Sequence, residues 1–231
     1  MGDILTPESI FRDIVLGAVF LLVAFPIHEF SHAWMANRLG DSTARYLGRL
    51  TLDPIAHFDP MGGGLLLLSL VGSGGTFAIG MAKPTPVNPS NLRGGRRGEM
   101  WVALAGPVSN LILAAIGAVL IRFIVAVPGL DLIGSNQAAR LLFGALQIFV
   151  FIDIVLFIFN LIPVPPLDGW AVLRGLVPPQ VAWDMTRVQA QVGLYGFLIV
   201  FILIFFGGTT FLSPILGGIF TALTGLPGLI Y

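Results

Sequence analysis

Residues 28 to 32 read His28-Glu29-Phe30-Ser31-His32 inside an apolar stretch. Residues four apart on a helix project from one face, so the two imidazoles are placed to grip one ion. Neutral imidazole nitrogen suits zinc, and a catalytic zinc keeps three protein ligands and one open position. Zinc lowers the pKa of water to about 7, and Glu29, beside His28, is placed to take that water's proton. The chain has no cysteine, so a metal here must sit on His, Asp or Glu, and cysteine nucleophiles and disulfides are excluded.

A third ligand must come from elsewhere. One candidate is Asp168, in Asn160-Leu161-Ile162-Pro163-Val164-Pro165-Pro166-Leu167-Asp168-Gly169, where three prolines stop a helix from continuing. Broken backbone at membrane depth is tolerated where it is buried or lines a watered cavity. The competitor is Asp153, in Phe151-Ile152-Asp153-Ile154. At about 1.5 Å per residue His28 lies roughly 21 Å from Ile14 and Asp153 roughly 18 Å from Leu141, whereas Asp168 overshoots at roughly 40 Å unless the proline stretch folds back. Depth alone favours Asp153, whose other reading is a carboxyl paired or protonated within the bundle.

The surroundings are those of a membrane. Of the 231 residues 56% are hydrophobic and only 10% charged, against about a quarter charged in soluble domains. About 20 apolar residues cross a bilayer, which selects Ile14 to Ala36, Trp101 to Val127 and Leu141 to Ile162. Ionisable residues inside such spans are functional by default, because each costs on the order of 2 kcal/mol or more when charged. Gln191 to Tyr231 is apolar but interrupted by Gly207-Gly208, Pro214 and Pro227, and reads as two short spans or as one span followed by a surface segment. Met61 to Gly80 holds seven glycines and suits a re-entrant, extended segment better than a helix. With that segment dipping in and returning, loops 37–60, 81–100 and 163–189 share one side and hold nine of the twelve basic residues, so they face the cytoplasm. The predicted fold is an all-α polytopic bundle of about four to six spans, one membrane domain over residues 1–231 with a motif-bearing core at 14–170 and C-terminal apolar segments at 191–231. The acidic first 13 residues lack the charge of a cleaved signal, so the first span is expected to stay.

The motifs His28 to His32 and Asn160 to Gly169 together resemble the site-2 protease family of intramembrane metalloproteases, in its short branch without PDZ or CBS domains. Gly80-Met81-Ala82-Lys83-Pro84-Thr85-Pro86-Val87-Asn88 and Ala105-Gly106-Pro107-Val108-Ser109-Asn110 are further family-like pieces. The resemblance implies a zinc protease in the cell membrane, with His28, His32 and Asp168 as ligands, Glu29 as catalytic acid/base and Asn160 helping to hold a transmembrane protein substrate. The charge of the loops is expected to set the site nearer the cytoplasmic face, near that end of the first span. An extended substrate strand is expected beside Gly72 to Asn88, because a peptide bond must leave its helix before water reaches it.

Simpler roles compete for the other polar residues. His57, in a proline-bounded loop, reads as a solvated or hydrogen-bonded loop histidine. Asn110 reads as a cross-link between helices, and Gly106 as a point of close helix approach. Lys83, Arg93, Arg96 and Arg97 read as anchors near lipid headgroups. The rival function is an intramembrane metal or proton transporter, but Glu29 between two ligands and the lack of an internal repeat favour hydrolysis. Zero net charge and the absence of a long basic run leave no nucleic-acid partner.

Overall fold

The computed structural model describes residues 17–59, 83–127 and 137–228, with Ile14, Gly64 and Leu68 besides. Of the expected re-entrant segment Met61 to Gly80 only Gly64 and Leu68 are described, both as helix; the rest of it and most of the expected substrate edge lie outside the described residues. Those described form helices and turns without a strand. Helix α1 (Phe25–Arg38) continues a π-helical turn at Phe20–Ala24. Short helices α2 (Thr43–Tyr46) and α3 (Pro54–His57) follow, then α4 (Arg96–Ala126), α5 (Gln137–Asn160), α6 (Asp168–Leu176) and α7 (Pro179–Thr224).

Three helical stretches are long and apolar enough to cross a bilayer: Gly17–Arg38, Arg96–Ala126 and Gln137–Asn160. These are the three expected spans, with the second and third beginning four or five residues earlier, in each case by taking in polar residues ahead of the apolar run. The C-terminal region differs from expectation. Gly207, Gly208 and Pro214 lie within the single helix α7, 46 residues long. Loss of one backbone hydrogen bond at a proline is tolerated in hydrocarbon where neighbouring groups relieve it.

Small residues on α4 let its neighbours approach closely. Ala114, Ala118 and Ile121 of α4 pack with Phe143, Val150 and Ile154 of α5 and with Phe220 of α7. A Cβ added at Gly117 would stand 2.6 Å from Val150 Cγ2, so this crossing requires glycine.

The loops meet at one end of the bundle. Asp41, after α1, accepts hydrogen bonds from Asn88 N (2.6 Å) and Asn91 Nδ2 (3.1 Å), and Arg93 N donates to Leu39 O (2.7 Å). Lys83 N reaches His57 O at 3.4 Å, so the chain leaves residue 59 and re-enters residue 83 at the same end. Arg174 of α6 pairs with Glu99 of α4, which brings the third basic loop to that end as well. Burial alone would raise the Asp41 carboxyl, but the Thr43 hydroxyl, the Asn88 and Thr43 amides and the Asn91 side chain hold it below its ordinary value.

Candidate metal centre

His28, Glu29 and His32 occupy the buried face of α1, with one ligand atom from each lying within 4.8 Å of the others. The helix alone does not say which ring nitrogen looks inward. His32 Nδ1 lies 2.7 Å from Val102 O, and a carbonyl only accepts, so that nitrogen carries the proton. His28 Nδ1 lies 2.6 Å from Asn110 Oδ1. Asn110 Nδ2 is spent on Asp153 Oδ1 at 2.6 Å, so its oxygen accepts and His28 Nδ1 donates. Both neutral rings therefore point unprotonated Nε2 atoms at one spot, 3.0 Å apart.

The proline stretch folds back as the depth argument requires. After α5 the backbone turns through bonds from Leu161 N to Ile158 O, Val164 N to Ile162 O and Leu167 N to Val164 O. A Cβ at Gly169 would strike the carbonyls of Leu161 and Ile162, so only glycine permits this reversal. Asp168 Oδ2 arrives 3.3 Å from His28 Nε2 and 3.4 Å from His32 Nε2. Asp153, favoured by straight-helix depth, instead faces Asn110. The straight-helix distance misleads because α5 ends at Asn160 and the chain reverses.

Two imidazole lone pairs and a carboxylate oxygen converge with no proton between them when the rings are neutral. That arrangement is repulsive unless a cation occupies its centre. Ligand bonds of about 2.0–2.1 Å set tetrahedral ligand edges of roughly 3.3–3.4 Å, close to the separations here. Asp168 Oδ2 is also buried without a hydrogen-bond partner among the described residues. The donor set fits zinc.

Gly106 of α4 does more than allow helix contact. A Cβ there would strike His32 Nε2 and come within 2.7 Å of His28 Cε1. Glu29 is buried and held through one oxygen: Thr85 Oγ1 donates to Oε2 at 2.7 Å and Thr85 N at 3.1 Å. Nothing in the sequence singled out Thr85. Asn160 sits at the end of α5 with its amide donating to Leu156 O (3.0 Å), and no described hydrogen bond joins it to the histidines. His57 is the last residue of α3, fully buried, and donates from Nε2 to Thr51 O (2.8 Å), so it is hydrogen-bonded rather than solvated and lies in a short helix rather than a loop.

Residues 16–205 match the model of peptidase family M50. Over 185 residues the chain is 40% identical to YwhC of Bacillus subtilis, a candidate zinc metalloprotease by name, covering 80% of this chain and 78% of that one. It is 30% identical over 219 residues to Rip2 of Mycobacterium tuberculosis, named in the same way, covering 95% and 75% of the two chains. Rip2 of Mycolicibacterium smegmatis is 29% identical over 203 residues, or 88% and 71%. No solved structure matches the chain.

Proposed function

The chain belongs to peptidase family M50 and is a zinc metalloprotease of the membrane, and we propose that it hydrolyses peptide bonds of membrane-inserted proteins with His28, His32 and Asp168 holding the metal and Glu29 as general base. The observation that carries this reading is the convergence of His28 Nε2, His32 Nε2 and Asp168 Oδ2 within 3.4 Å of one another, among apolar helices. Zinc bound there supplies a water of lowered pKa and a Lewis acid for the substrate carbonyl.

The chain's own groups do the rest. Glu29 is not needed as a ligand, and Thr85 occupies only its Oε2, leaving Oε1 to accept a proton from the attacking water. The same carboxyl then returns a proton to the departing amine. Helix α1 and the turn before α6 hold the reacting groups within contact distance of one another, so they need little reorganisation. Asn160 lies immediately before the reversal, where its amide is placed to exchange Leu156 O for a substrate carbonyl. The basic loops gathered at one end support a site nearer the cytoplasmic face. The whole chain acts as one membrane domain, with Phe220 of α7 packed into the core of the motif-bearing helices.

The experiment is metal analysis of purified protein beside cleavage of a membrane-inserted substrate, for wild type and Glu29→Gln. The variant is expected to keep stoichiometric zinc and lose cleavage. Full activity in Glu29→Gln, or wild-type protein that takes up no zinc, would overturn the reading.

A further inference from the structure

Asp153 is a fully buried carboxyl in the middle of a membrane-spanning helix, and the chemistry described above leaves it unused. Its one described hydrogen bond, at 2.6 Å, comes from Asn110 Nδ2, and its other oxygen is buried without a partner among the described residues. Asn110 is likewise fully buried, and its carbonyl oxygen faces His28 Nδ1 at 2.6 Å. We propose that Asp153 and Asn110 form a two-residue positioning relay that fixes the tautomer of His28 and so keeps its Nε2 open for zinc.

The two histidines differ in how their rings are fixed. His32 leans on the Val102 carbonyl, which is main chain and only accepts. His28 leans on an amide side chain, and an amide has two nearly isosteric ends, one accepting and one donating. Turned over, Asn110 would offer N–H to His28 Nδ1, and the ring proton would have to move to Nε2. A protonated Nε2 cannot bind metal. Contact with Asp153 Oδ1 removes this ambiguity, because that oxygen takes the amide's donor end and leaves the carbonyl facing His28. The only other described partner of Asn110 Nδ2 is Ala24 O at 3.5 Å, too long to set the orientation alone. Ligating histidines commonly have their second nitrogen bonded to a carboxylate or carbonyl, and loss of such partners typically lowers metal affinity by about 10- to 100-fold. Here the partner acts through an intervening amide, with one helix supplying each member: His28 on α1, Asn110 on α4 and Asp153 on α5. A plain helix cross-link would need the same contacts but not their direction.

Direction is therefore what the test reads. This inference rests on His28 being a zinc ligand, so wild-type protein that binds no zinc sinks that assignment rather than the relay alone. In detergent, zinc affinity is measured by chelator competition, together with the absorption spectrum of the cobalt-substituted protein. In Asp153→Asn the new amide is free to donate to Asn110 Oδ1, turning Asn110 over, and a drop of about 10- to 100-fold in zinc affinity with an altered cobalt spectrum is expected. The double variant N110D/D153N restores the direction at His28 while reversing the bond behind it: residue 110 accepts from His28, as in wild type, and now accepts from residue 153 as well. Its affinity should return to within a few-fold of wild type. Asp153→Asn with wild-type affinity and spectrum, or a double variant that binds no better than Asp153→Asn, would overturn the proposal.

Discussion

Replacing Gly106 by alanine adds one methyl group at the wall of the metal centre. That carbon would lie 2.5 Å from His32 Cε1 and 2.7 Å from His28 Cε1, with His32 Nε2 nearer still, where ordinary contact begins near 3.4 Å. Both rings, or α4 itself, must therefore retreat by nearly 1 Å. Metal–ligand distances tolerate only about 0.2 Å, so such a shift cannot be absorbed in the coordination sphere. Displacements of about 1 Å at a reacting centre cost on the order of 100-fold, or about 2.7 kcal/mol of transition-state stabilisation. Alanine is the better helix former by roughly 1 kcal/mol, so α4 itself should not weaken. The expected result is a chain that inserts and melts near wild type without metal, yet cleaves about a hundredfold more slowly and releases zinc to weaker chelators. Thermal melting, zinc analysis and a cleavage time course on Gly106→Ala provide the check. Normal zinc retention with normal turnover would refute the claim that α4 backbone abuts the imidazoles.

Thr85→Val should keep zinc but lower kcat by about tenfold or more, since a hydrogen bond to a charged group contributes about 1.5–3 kcal/mol; Thr85→Ser should recover most of it, and an unimpaired Val variant counts against Thr85 orienting Glu29. Cysteines placed at Ser42 and Ser90 should label from the same face of the membrane, and opposite labelling would rule out the shared end for their loops. The depressed Asp41 carboxyl contributes stability that is complete above its unfolded value of 3.8 and is lost as pH falls through its lower folded value. A nitroxide spin label at Ser90 should then gain mobility only in acid, whereas Asp41→Asn should loosen it already at neutral pH, and wild-type label mobility that does not change with pH contradicts the role given to Asp41.

What could be read from sequence followed the reach of its local rules. The spacing from His28 to His32 is set by a single helix, so the pairing of those imidazoles was legible without any tertiary information. The choice between Asp153 and Asp168 was not legible from depth, because length along a helix carries no warning that the chain reverses. The prolines and Gly169 carried that warning, and Gly169 now has a steric reason: no Cβ fits beneath the carbonyls of Leu161 and Ile162. Asn110 read as a cross-link, yet it stands four residues after Gly106 and so shares the face that meets the histidines, a signal available in the sequence. Thr85 offered no comparable signal, since its contact with Glu29 depends on how a proline-rich loop lies against α1. At the C-terminus Pro214 and paired glycines suggested breaks, whereas α7 runs through them.

The reversal before α6 also governs when the centre comes into being during synthesis. His28, Glu29 and His32 enter the bilayer with the first helix, but the carboxylate that meets them follows the third span and its turn. A ribosome that has delivered only the first two spans has placed two histidines and a glutamate in lipid with neither Asp168 nor the Asp153 that steadies Asn110. On the reading that Asp168 completes the metal site, a chain that ends before the reversal holds only part of the donor set.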